Sequence, residues 1–192
     1  MKAADVKKNQ AEDELGDAEL LRLSDKGDED AFLVLYDRHQ GPVFRFSLHM
    51  SGSREMAEEV TQEVFMSLLS ERKLYAPGRG PLQAYLIGIA RNKLRRQLAR
   101  DRRCPAGSSV AEERISLLDG LDKERQLAAL RKAISSLPPN YREVVVLCDL
   151  ENKDYEQTAR QLGCAVGTVR SRLHRARAIL GAKLRKSQGC PV

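Results

Sequence analysis

The stretch that most restricts the fold of this chain is DYEQTARQLGCAVGTVRSRLHRARAIL, Asp154 to Leu180. Asp154 followed three positions later by Gln157 is a capping-box arrangement that opens a helix. Tyr155, Ala159 and Leu162 then recur on one side as the inward face, and Gly163 supplies the terminator. A second periodic segment follows a short turn. With Val169 taken as the inward direction, Leu173, Ala176 and Leu180 fall within about 40° of it, while Gly167, Ser171, His174, Arg175 and Ala178 point away and Arg170 sits on the flank. Helix, glycine-containing turn, basic helix is the arrangement that lays a second helix in the DNA major groove. A face made only of long charged side chains stops at the phosphates, but the small residues at 167, 171 and 178 permit approach to base edges. Arg172 and Arg177, nearer the buried stripe, suit phosphates or contacts within the domain.

Charge along the chain asks for a second contact with a polyanion. The net charge is +6 over 192 residues, but residues 1–70 sum to −7, 71–103 to +8, 104–153 to −1 and 154–192 to +6. Separated basic blocks gain from counterion release on nucleic acid. Composition narrows the class further. With no Trp and 5% aromatics, an aromatic-rich β-sandwich is disfavoured and helix is the better expectation. No run approaches the roughly 20 apolar residues of a membrane span, and the N-terminus is charged where a signal peptide is apolar, so a cytoplasmic protein without membrane insertion is expected. Cys104, Cys148, Cys164 and Cys190 lie 44, 16 and 26 positions apart. That spacing offers no metal-ligand pairs, and we expect neither a metal nor a cofactor.

Helical periodicity runs through most of the remainder. Leu20, Leu21 and Leu23 lead into a helix begun near Asp28 to Asp30, which Gly41-Pro42 should bend or break. Ser53 is placed to cap REMAEEVTQEVFMSLL, whose Met56, Val60, Val64 and Leu68 face inward and leave an acidic face of Glu58, Glu59, Gln62 and Glu63. A Gly/Pro-rich basic loop, SERKLYAPGRG, precedes a helix with Ile87, Ala90, Leu94 and Leu98 on one side and Asn92, Arg96, Arg100 and Arg103 on the other. Tyr75 and Tyr85 flank that loop, and rings beside basic residues suit single-stranded nucleic acid. Residues 104–122 lose the periodicity as a linker would. Leu127, Leu130, Ile134 and Leu137 then mark a helix stopped by Pro138-Pro139, and NYREVVVLCDL marks a buried one.

Taken in order, AFLVLYDRH, MAEEVTQEVFMSLL and AYLIGIARNKLRRQ resemble sigma region 2, and LPPNYREVVVL with GCAVGTVRSRLHRARAIL resembles region 4, of the extracytoplasmic-function (ECF) group of bacterial RNA polymerase sigma factors. The resemblance spans about Asp17 to Leu184. It implies an all-α protein of two small helical domains, region 2 over 17–103 and region 4 with its helix-turn-helix over 123–186. A flexible linker at 104–122 joins them, with a charged tail at 1–16 and a short one at 187–192. It also implies roles: Glu58, Glu59, Gln62, Glu63 and Phe65 on core RNA polymerase; Tyr85, Asn92, Arg95, Arg96 and Arg100, with the loop from Leu74 to Pro81, on the melted minus-ten element; Thr168, Arg170, Ser171, His174 and Arg175 on duplex DNA of the minus-thirty-five element. An anti-sigma factor is the further partner expected. Thr158 departs from the family, standing where an apolar residue is usual, which should loosen the packing of that helix. The resemblance therefore implies a promoter-specificity subunit and not an enzyme. A stand-alone helix-turn-helix regulator would leave the acidic helix and first basic block without roles, and an adaptor for acidic proteins would not need the helix-turn-helix.

Overall fold

A computed structural model of the protein describes residues 15–70, 75, 78, 80–101 and 121–187. The tails, most of the expected linker and the greater part of the loop from Leu74 to Pro81 lie outside the described residues. Those residues form an all-α structure of two helical units. The first comprises α1 (Asp17–Asp25), α2 (Glu29–Ser51), α3 (Arg54–Ser70) and α4 (Leu82–Asp101); the second comprises α5 (Leu121–Ser135), α6 (Pro139–Val145), α7 (Tyr155–Leu162) and α8 (Val166–Ser187). One wide turn, Val146–Leu150, extends α6, and the Glu151 N–H donates to the Val146 carbonyl five residues back.

In the first unit α2 is the central post. The Asp28 side chain caps its N-terminus by accepting from the Ala31 N–H, and Gly52, at φ +74°, closes its C-terminus with a bond to the Leu48 carbonyl. Of the bend or break expected at Gly41-Pro42, the break does not occur: α2 is one helix with Pro42 inside it. An interior proline costs about 3 kcal/mol. The apolar residues Ala31, Leu35, Val43, Phe46 and Met50 run along both halves and are all fully buried or nearly so. Each large one contributes roughly 1.5–3 kcal/mol when buried, so the stripe outweighs the proline and keeps both halves in one helix. Asp17 of α1 ties the post laterally through Arg38 at 2.7 Å and His39 at 3.0 Å. Against α2 pack α3, through Val60, Val64 and Leu68, and α4, through Leu86, Ala90 and Leu94.

In the second unit α8 packs on α5, α6 and α7. The β-branched run of α6 and its wide turn is tolerated as helix because Val144, Val145, Val146 and Leu147 are all buried. Thr158 is fully buried, and its hydroxyl meets the Cys148 sulfur at 3.4 Å, so the polar atom at this apolar position has a partner. The two units share one continuous apolar core. α2 touches α5 and α6, and α4 touches α7.

Candidate nucleic-acid interface

The helix-turn-helix is built as its sequence dictates. Asp154 Oδ1 accepts from the Gln157 N–H at 2.7 Å to start α7, and Gly163, at φ +63°, ends it. Cys164 N–H then bonds back to Ala159, and α8 begins with Thr168 and Val169 donating to Ala165. Val169, Leu173, Ala176 and Leu180 of α8 are buried, which leaves Arg170, Ser171, His174 and Arg175 exposed along the opposite face and Thr168 half-buried at its start. The Ser171 hydroxyl donates to the Thr168 carbonyl, leaving its lone pairs for an outside donor. Tyr155 departs from expectation. It is not inward but 38% exposed, with the Arg170 guanidinium 5.7 Å from its ring centroid. As the first residue of α7 it can stack under a neighbouring cation while Ala159 and Leu162 fill the core. Arg177 turns away from the outer face to Asp149, whose carboxylate raises its pKa through hydrogen bonding.

On the first unit, Asn92, Arg96 and Arg100 are exposed along α4. Tyr85 is half-buried with its ring 5.4 Å from that of Tyr75, and the Tyr75 hydroxyl donates to the Gly80 carbonyl at 3.1 Å. Burial pushes the Tyr75 hydroxyl pKa up. Arg95 stands apart from the row. Its guanidinium lies against the second unit, 3.8 Å from Glu143 and 3.1 Å from the Asn140 side-chain oxygen.

The acidic face of α3 carries Glu58, Glu59 and Gln62 in solvent, with Glu58 paired to Arg54 at 2.9 Å. Glu63 is half-buried and holds Lys93 of α4 at 2.8 Å. Phe65 corrects the assignment of this surface: it is only 3% exposed, its ring set edgewise against Tyr36 at 4.7 Å and Phe32 at 6.4 Å, so it builds the core and has no free face for a partner. The helical spacing Ala57, Val60, Thr61, Val64, Phe65, Leu68 already carried that signal. The apolar side chain that α3 does present is Met66, 65% exposed.

Sequence patterning missed three residues that the structure brings together, Arg91, Arg142 and Glu143. Nothing in their local periodicity sets them apart, because what pairs them is contact between the units. Among the described residues no group of three His, Cys, Asp or Glu side chains could hold a metal ion, and Cys148 and Cys164 are free thiols.

This geometry meets known proteins at two places along the chain. A family model for sigma-70 region 2 matches residues 35–104 and one for sigma-70 region 4 matches residues 127–180. The chain is 34% identical over 149 residues to the ECF RNA polymerase sigma factor SigE of Mycolicibacterium smegmatis, a match covering 74% of this chain and 57% of that protein. It is 33% identical over 141 residues to EcfG of Rhodopseudomonas palustris, covering 72% and 77%. Among solved structures it superposes on the sigma factor RpoE of Bartonella quintana, crystallised with the anti-sigma factor NepR, with a TM-score of 0.61 at 26% identity, over 80% of this chain and 96% of that one. The fold also matches CnrH in its complex with the cytosolic domain of CnrY, with a TM-score of 0.66 at 24% identity, covering 88% and 97%. Two units carrying, in this order, an acidic helix, a row of arginines and a capped helix-turn-helix thus have one common explanation: the chain belongs to the ECF family of RNA polymerase sigma factors.

Proposed function

We propose that this chain acts as an alternative sigma factor, a dissociable subunit that directs core RNA polymerase to a bipartite promoter. The observation that carries this reading is the pairing of two nucleic-acid faces on separate helical units. α8 presents Arg170, Ser171, His174 and Arg175 with small residues between them, the composition that enters a major groove, and Thr168 lies at its approach. α4 presents Asn92, Arg96 and Arg100 beside the Tyr75–Tyr85 ring pair, suited to a melted strand whose bases leave the stack. Region 4, over 123–186, anchors on the duplex minus-thirty-five element. Region 2, over 17–103, captures the flipped bases of the minus-ten element. The binding energy of both offsets the cost of strand opening, while the chemistry of RNA synthesis belongs to the polymerase.

Glu58, Glu59 and Gln62 form the docking face for core polymerase, with Met66 at its edge replacing Phe65. An anti-sigma factor is the natural regulator, as the RpoE–NepR complex has one. The site of action is the cytoplasm, and no described helix is long and apolar enough to cross a membrane. The test is to capture core polymerase on the tagged chain and map transcript starts after forced expression. Co-purification, and new starts that share a two-block upstream motif, are expected. Failure to bind core polymerase overturns the reading, and duplex binding with unchanged transcript starts returns it to a stand-alone regulator.

A further inference from the structure

Tyr75 is fastened at two points to the chain that follows it. Its hydroxyl donates to the Gly80 carbonyl at 3.1 Å, and its ring lies 5.4 Å from that of Tyr85 at an interplanar angle of 48°. Both points belong to one short stretch, in which Gly80 leads through Pro81 into α4 and the Ala84 and Tyr85 N–H groups donate to the Pro81 carbonyl. Gly80 stands at φ +140°, a conformation that L side chains rarely adopt, and a Cβ there would meet nothing within 4 Å. What requires glycine is therefore the backbone path that brings the carbonyl to Tyr75, and not a lack of room. Both rings rest on the apolar core. The Tyr75 hydroxyl remains a donor throughout the physiological range, because burial pushes its pKa up and the charge of Asp17 adds to the shift. Arg38 and His39 of α2 hold Asp17, so that charge is fixed in place.

A ring that receives a base from a melted strand offers that base a free face. Tyr75 instead commits its hydroxyl to its own loop and one side of its ring to Tyr85. Resting on the reading of α4 as the face for the melted strand, we propose that Tyr75 is a positioning residue for base selection. Its bond to Gly80 holds the approach to α4 in one arrangement, so that Tyr85, and Asn92 two helical turns beyond it on the same side, meet one base better than the other three. Tyr75 is thus a brace and not a stacking platform. Stacking and phosphate contacts tolerate small displacements, since every base has a face and every nucleotide a charge. Hydrogen bonds to a base edge do not, because they weaken steeply with errors in angle and distance. Loosening the brace therefore acts on discrimination between bases more than on affinity for the strand.

The test uses holoenzyme reconstituted from core polymerase and the full-length chain. The probe is a fluorescein-labelled single-stranded oligonucleotide carrying the minus-ten sequence found by transcript mapping, together with versions in which each position is changed in turn to the other three bases. The unaltered chain should prefer one base at one position or more. Tyr75→Phe keeps the ring and loses the hydroxyl. It should lower that preference roughly twofold to tenfold, the range that loss of one hydrogen bond allows, while affinity for the changed strands, helix content by circular dichroism and core-polymerase capture stay as they were. Gly80→Ala should lower the preference too, and the double variant no further than the more affected single one, because both act through one bond. Tyr75→Phe with undiminished preference overturns the proposal, and a uniform loss on all strands from Tyr75→Leu then marks a stacking ring. Additive effects of the two substitutions overturn it, as does an unaltered holoenzyme without base preference. Should either variant lose helix content, the other decides by itself; loss in both makes Tyr75 a residue of stability and overturns the proposal. Core-polymerase capture and transcript mapping on the unaltered chain report separately on the sigma-factor reading, which stands if only the brace fails.

Discussion

Arg170 stands over the Tyr155 ring, so its guanidinium is restrained before any DNA arrives. An exposed cation–π contact contributes about 0.5–1 kcal/mol, and Tyr155→Ala should weaken duplex binding roughly twofold to fivefold while Tyr155→Phe, which keeps the ring, should not, as fluorescence anisotropy can measure. Arg170 and Arg100 should behave differently from one another. Arg170→Ala, at a position proposed here to read a base, should reduce transcription unequally across promoters, by about 1–3 kcal/mol where that base is present, whereas Arg100→Ala should weaken binding uniformly and flatten its salt dependence. Equal losses on all promoters from both would contradict that division. Arg177 was readable only as a residue for phosphates or for the domain itself, because helical spacing puts it near an edge. Asp149, 28 positions away in sequence, takes it for the domain. Cys148 is another residue whose behaviour its surroundings decide: burial pushes its thiol pKa up, so it should alkylate more slowly at pH 7.5 than the thiol of a short peptide.

Within elements, local chemistry and packing compete, and the winner differs from helix to helix. α7 has eight residues, too few to persist alone, so its ends matter. Asp154→Ala should destabilise the second unit by about 1 kcal/mol through the lost cap. Gly163→Ala should cost about 1–2 kcal/mol, all of it backbone strain at positive φ, since an added Cβ there meets nothing within 4 Å. Denaturant titration of the full chain measures both. These ends were legible in advance because capping is decided by residues three or four positions apart. α2 was not legible in the same way. Proline at 42 is a local signal to stop, and the overriding term is burial against α3 and α4, which no window around Pro42 contains. Phe65 is the intermediate case: its place in the buried stripe of α3 was readable, but a role assigned by resemblance obscured it.

At the scale of the molecule, the seam between the units makes stability depend on pH. His49, in the last turn of α2, has its pKa held below the usual histidine value chiefly by burial. Glu151 opposes that shift, and Arg131 and Arg45 add to it. A histidine with a depressed folded pKa binds its proton more readily when released, so its contribution is present above the unfolded value of about 6.5 and is lost as pH falls below it. The denaturation midpoint should therefore drop between pH 7.5 and pH 5.5, and His49→Gln should make that drop smaller. Arg45, Arg131 and Glu151 face this group from both units, and Arg45 pairs with Glu151 at 3.5 Å. Loosening the seam and protonating His49 should accordingly reinforce each other.

By itself the sequence determined the elements and their faces. Periodicity placed Val169, Leu173, Ala176 and Leu180 inside and Ser171, His174 and Arg175 outside, caps placed the ends of α7, and charge blocks located two basic surfaces on two helical units. All of these follow from interactions within a few residues of one another. Only the tertiary structure decided that α2 continues through Pro42 and that Arg91 and Arg95 of one unit enclose Glu143 of the other. Those outcomes depend on desolvation and on pairings between residues about 50 positions apart, which become energetically significant only when the packed core removes water from between them.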